Sequence, residues 1–168
     1  MDTRLETTIL TRMDMEDGLR QLGLSHGDVV EVHSSLSSLG TVAGGAATVV
    51  DALMSVVGEE GALVMSAYPL SKMLPLTDEE KAKGICAKVR LYGPGYDGPT
   101  GMGVIADEFR HRPKTVLGRG EHRVCAWGHN AHLHSQGYEY LLSLDGWVLL
   151  VGVDINRCSS ISRSRNGS

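Results

Sequence analysis

No apolar stretch of this chain approaches the roughly 20 residues that a helix needs to cross a bilayer, and the polar, acidic start does not read as a secretory leader. Those absences argue against a membrane partner and point to the cytoplasm. Cysteine is sparse: Cys86, Cys125 and Cys158 are odd in number and far apart, which fits reduced thiols better than a disulfide framework. Positive charge is in slight deficit. Sixteen Lys and Arg against 20 Asp and Glu leave a formal charge of −4, which disfavours nucleic acid and favours a cationic small substrate. Repeats are missing, and residues 161–168, of which 162–168 include no core-forming residue, read as a disordered tail.

What is present suffices for one folded domain, residues 1–160. Hydrophobic and charged contents of 42% and 21% are those of a globular protein, and 168 residues can bury a real core. Thr11 caps a helix carrying Met13, Met15, Leu19 and Leu22, and the valine-rich residues 28–32 read as a strand. Thr48, Val49, Ala52, Leu53, Val56 and Val57 recur at helical spacing, and residues 62–67 give a second buried strand. A loop over 68–76 leads into a short charged helix, 77–83, opened by a capping box. An edge strand over 85–92, a turn-rich loop over 93–100 and a helix carrying Met102, Ile105, Ala106 and Phe109 come next. An apolar run at 124–127, a helix at 136–144 and an apolar stretch at 147–153 complete the pattern. The last reads as a central strand buried on both faces. Alternating helices and strands make the class α/β.

The densest chemistry lies where the first of those strands ends, in Val32-His33-Ser34-Ser35-Leu36-Ser37-Ser38-Leu39-Gly40 followed by Gly44-Gly45. A strand, a glycine turn and a helix start would gather backbone N–H groups and a positive dipole end around one cavity, which suits an anion such as a phosphate. The turn is neither G-x-x-x-x-G-K-[ST] nor G-x-G-x-x-G, which argues against an ordinary nucleotide hydrolase or dehydrogenase. Ser34, Ser35 and Ser38 could supply donors and His33 could move a proton. The competing reading is a serine-rich turn that only caps a helix.

The stretch VEVHSSLSSLGTVAGGAATVVDALMSVVGEEGALVMSAY resembles the N-terminal signature of the aminoglycoside 3-N-acetyltransferase family, and TGMGVIADEFRHRP, HRVCAWG, LDGWVLLVGV and NRCSS follow in that family's order. The resemblance implies a three-layer α/β fold with a mixed central sheet flanked by helices. It also implies transfer of acetyl from acetyl-coenzyme A to the 3-amino group of a 2-deoxystreptamine aminoglycoside, conferring antibiotic resistance, directly within a ternary complex and without a metal. A metabolite amine is the alternative acceptor. By the same resemblance Ser34, Ser35, Leu36, Ser38, Gly44 and Gly45 line the coenzyme A arm, and Ser159 and Ser160 close over its acyl end.

Amine acetylation needs a base, because an ammonium has no lone pair for attack. In the resembled family a histidine shortly before the 124–127 run supplies it. Here Arg119 falls on that position and Arg123 on the family's serine, so the role passes to His122, with Glu121 to orient it and His33 as helper. A loop histidine bonded to a carbonyl is the competing reading of His122. His129, His132 and His134 lack a zinc spacing, and Cys125 and Cys158 lack a Cys-His signature, so metal and covalent chemistry are disfavoured. Ser162 stands where the family carries the histidine of a His-x-x-Glu stretch. The chain therefore reads as C-terminally truncated relative to that family. That raises a second hypothesis, an inactive fragment that binds coenzyme A or a partner chain, and leaves homodimerisation through exposed sheet surface open.

Overall fold

A computed structural model describes residues 8–158 apart from 71, 94, 120 and 121. In chain order the elements are β1 (Ile9–Leu10), α1 (Arg12–Gln21), β2 (Val29–Ser34), β3 (Thr41–Val42), α2 (Gly45–Val57), β4 (Ala62–Ser66) and β5 (Lys72–Met73). They continue with α3 (Asp78–Ala82), β6 (Val89–Arg90), α4 (Val104–Arg110), β7 (Val116–Leu117) and β8 (Val124–Gly128). The last are α5 (Ala131–His134), α6 (Glu139–Ser143) and β9 (Trp147–Val151).

The main sheet has the order β7-β8-β4-β2-β9. Strand β2 runs parallel to both β4 and β9, whereas β8 is antiparallel to β4 and to β7, so the sheet is mixed. Successive side chains of a strand point to opposite faces, and the apolar residues of each central strand divide accordingly. Val30, Val32, Leu63, Met65, Cys125 and Trp127 meet the helices α1, α2 and α4 in the larger core, which also buries Phe109, the only phenylalanine. Val64, Val124 and Ala126 meet Ala131, Tyr138 and Leu141 from α5 and its neighbourhood on the opposite face. Two helical layers around a mixed sheet agree with the expected three-layer class.

Both predicted N-terminal capping signals are realised. The Thr11 hydroxyl accepts from Asp14 N–H at 3.3 Å, and the Asp14 carboxylate accepts from Thr11 N–H at 2.8 Å. Thr77 and Glu80 repeat the arrangement at α3.

Four expectations need correction. The 147–153 run is not a central strand: β9 is the outermost strand of its sheet among the described residues, and Trp147 is 48% exposed. Uniform hydrophobicity reports packing of the faces and says nothing about neighbours along the hydrogen-bonding direction. The 85–92 strand shrinks to β6, which pairs with β5 in an exposed two-stranded ribbon formed partly by the expected 68–76 loop. The 136–144 helix begins only at Glu139, after a separate helical turn, α5. Between β2 and α2 the chain inserts a 3₁₀ turn, Leu36–Leu39, and β3.

Candidate functional site

Strands β2, β4 and β9 run parallel, so their carboxyl ends open on one edge of the sheet, where α/β proteins bind ligands. A cavity of about 730 Å³ lies there, with walls from the end of β2, Ser66 of β4, Tyr68, Met102 and the segment that follows β9. Two buried arginines hold the 96–98 stretch near it. Arg110 pairs with Asp97 at 2.8 Å and donates to the carbonyl of Gly98, while Arg123 donates to the carbonyls of Ala67 and Tyr96.

The floor follows from strand alternation. Val30 and Val32 turn to the larger core, so Glu31 and His33 share the other face. Nε2 of His33 is bonded to Oε1 of Glu31. Glu31 is completely buried, and its other oxygen, Oε2, has no hydrogen-bond partner among the described residues. A buried carboxylate is costly unless it is paired, so the imidazole is both its partner and its outlet toward the cavity that His33 lines. Beside them the hydroxyls of Ser66 and Tyr138 are bonded to each other. Burial pushes the Tyr138 phenol above its ordinary value, so it stays protonated and can donate.

Cys158 closes this group. One ligand-type atom from each of Glu31, His33 and Cys158 lies within 4.8 Å of the others, and all three residues are buried. Among the described residues this is the one place where three metal-ligating side chains converge. The same set has the composition of a nucleophile, a base and an orienting carboxylate.

The residues singled out in the sequence divide into three groups. His33, Ser34, Ser35 and Ser38 line the cavity together. The Ser38 hydroxyl donates to Oγ of Ser35 at 3.2 Å, and Ser35 makes no side-chain cap to the 3₁₀ turn, so these hydroxyls face one another rather than capping a helix. Gly44 and Gly45 stand apart at the amino end of α2, Gly44 at φ 80°, and Leu36 packs against the larger core; none of them lines the cavity. The 3₁₀ turn and β3 account for that separation. His122 is exposed, its ring edge-on to Tyr68 with centroids 5.1 Å apart, which puts it beside the cavity wall rather than on its floor. Glu121, Ser159, Ser160 and Ser162 lie outside the described residues.

The remaining candidates do not gather. His134 is buried against Tyr140 while His129 and His132 are exposed. Burial pushes the Cys125 thiol up to about 12, which suits a core residue and not a nucleophile. Glu31 was missed in the sequence, although Glu-x-His on a predicted strand already puts both side chains on one face.

Fold and cavity together define an α/β domain with a ligand cleft at the carboxyl edge of a mixed sheet and a buried carboxylate–imidazole pair on its floor. Comparison with known proteins identifies which one. The chain belongs to the aminoglycoside 3-N-acetyltransferase family, whose profile matches residues 32–161. It is 34% identical over 168 aligned residues to the SPbeta prophage-derived aminoglycoside N(3')-acetyltransferase-like protein YokD of Bacillus subtilis, covering 87% of this chain and 61% of that protein. The crystal structure of YokD superposes with a TM-score of 0.70 at 33% identity, over 89% of this chain and 63% of that one. The aminoglycoside N(3)-acetyltransferase VIII of Streptomyces fradiae is 31% identical, over 66% of this chain and 40% of its own. The fold is shared with AAC-IIIb in its binary complex with CoASH, at a TM-score of 0.65 and 22% identity over 85% of this chain and 59% of that one. This chain thus spans about three-fifths of the length of the Bacillus relative. Among the described residues no helix is long and apolar enough to cross a membrane.

Proposed function

We propose that the protein transfers an acetyl group from acetyl-coenzyme A to the 3-amino group of a 2-deoxystreptamine aminoglycoside in the cytoplasm, a modification that confers resistance. Family membership supports the reaction class, and the names of the Bacillus and Streptomyces relatives support the acceptor. The observation that carries the reading is the buried Glu31–His33 pair facing the cavity at the sheet edge.

The chemistry follows from that pair. An attacking nucleophile must shed a proton as it bonds to the thioester carbonyl, and His33 accepts it while Glu31 fixes the imidazole and offsets its positive charge. The hydroxyls of Ser34, Ser35 and Ser38 supply donors for the cofactor's pantetheine arm or the developing oxyanion. His122, edge-on to Tyr68 beside the cavity wall, takes no proton in this scheme. The base role that the family resemblance carried to His122 and Glu121 is thereby given to His33 and Glu31.

The test is thiol release from acetyl-coenzyme A with a panel of aminoglycosides and, in parallel, simple polyamines. Release that requires a 2-deoxystreptamine aminoglycoside, with mass spectrometry placing the acetyl group on its 3-amine, is the expected result. Faster turnover of polyamines would overturn the acceptor assignment, and coenzyme A binding without release would overturn the enzymatic one.

A further inference from the structure

Glu31, His33 and Cys158 bring a carboxylate, an imidazole and a thiol together on the cavity floor, and the transfer proposed above uses only the first two. We infer that the three side chains form a binding site for one zinc ion, and that the ion silences the enzyme when it binds. The site stands on its own geometry; its effect on activity rests on the acetyl-transfer reading, in which His33 is the base.

Three observations carry it. First, one ligand-type atom from each residue lies within 4.8 Å of the other two. Ligand atoms around a tetrahedral zinc stand about 3.3–3.5 Å apart, so a rotation that moves the Cys158 sulfur by about 1 Å completes the set. Second, the ion needs no ring nitrogen beyond the one already engaged. Nε2 of His33 is bonded to the Glu31 carboxylate, and zinc takes the place of the proton between them. Third, Glu31 is completely buried and its Oε2 has no hydrogen-bond partner among the described residues. A buried carboxylate oxygen in that state is costly, and contact with a dication offsets the cost.

One sulfur, one nitrogen and one oxygen donor suit zinc, whereas magnesium and calcium call for several oxygens. The ion reaches the site from the cavity, which His33 and Cys158 both line. The set draws on β2 and on the segment after β9, so positions 31, 33 and 158 carry no local ligand spacing in the sequence. His129, His132 and Cys86 are exposed and belong to no such convergence among the described residues. Loss of activity follows from the ring. A neutral imidazole with a metal on one nitrogen carries its proton on the other, so His33 can no longer accept one from the attacking amine.

The experiment titrates chelator-stripped, reduced protein with zinc and, in parallel, with cobalt(II), whose bond to a thiolate gives a charge-transfer band in the near ultraviolet. The expected result is one zinc per chain and a cobalt band that saturates at one equivalent. Cys158→Ser, checked for an unchanged circular dichroism spectrum and melting temperature, should lose the band and bind zinc at least about a hundredfold more weakly. Cys86→Ser and the double variant His129→Gln, His132→Gln should keep both signals. Zinc-loaded protein, freed of excess metal by gel filtration, should acetylate an aminoglycoside at least about tenfold more slowly in the first turnover than stripped protein, and EDTA should restore the rate. Absence of the cobalt band, or equal zinc affinity in wild type and Cys158→Ser, would overturn the inference. A Cys158-dependent site that leaves the rate unchanged would overturn the silencing and, with it, His33 as the base. Absence of transfer by both loaded and stripped protein, with the band present, would overturn the acetyltransferase reading and leave the zinc site standing.

Discussion

Glu31 and His33 show how much a two-residue spacing can decide. Two positions apart on a strand they share a face, and burial of that face turns a carboxylate and an imidazole into a unit that neither could form alone. Glu31 is a positioning residue in this account, since it acts on substrate only through His33. Glu31→Gln keeps the shape and removes the charge. It should therefore lower kcat by about a hundredfold while KM for acetyl-coenzyme A stays within about twofold, because the donor is not held by this carboxylate. Initial-rate kinetics check the split. A loss in KM alone would mean that Glu31 shapes the binding pocket and not the base.

At the scale of elements, the cleft is made by how the strands end. Gly152, directly after β9, has φ 69° and lies so close to the 3₁₀ turn that a Cβ there would meet Ser38 Cβ at 2.7 Å and the Ser35 carbonyl oxygen at 3.0 Å. Gly152→Ala should cost about 1–2 kcal/mol from the left-handed backbone alone, and it should weaken coenzyme A binding by pushing the serine turn outward. Urea denaturation and calorimetric titration measure the two effects; an unchanged urea midpoint would contradict the packing argument. The same elements explain what the sequence disclosed. Apolar runs at 28–32, 62–67 and 124–127 mark strands because their side chains fill two faces, and α2 is legible from its helical spacing. The lateral position of β9 left no such mark, since strand order is set by pairing between distant segments. Helix α5 has four residues, two of them histidine, too few for any periodicity to register. The serines of the cleft were legible as a cluster, whereas the Cys158 contact depends wholly on the fold.

At the scale of the whole molecule, a buried histidine outside the cleft links stability to pH. Burial, with His129 adding to it, holds the His134 imidazole below its ordinary value, so the native state keeps it neutral. The unfolded chain accepts that proton once pH falls below about 6.5, and it then binds more protons than the native state. Stability from this group is accordingly present above that pH and declines below it, by at most about 1.4 kcal/mol per pH unit. Urea midpoints at neutral and mildly acidic pH should show the decline in wild type and a smaller one in His134→Leu; equal slopes would contradict the assignment. The catalytic claim spans the molecule as well, because the cleft draws on β2, β4 and the segments after β4 and β9 together. Its most direct test compares aminoglycoside-dependent thiol release by His33→Ala and His122→Ala with wild type under saturating acetyl-coenzyme A. The account predicts a fall of about a hundredfold to ten-thousandfold for His33→Ala and only a few-fold change for His122→Ala. The reverse order, with His122→Ala inactive and His33→Ala near wild type, would contradict it and return the base to the exposed loop beside Tyr68.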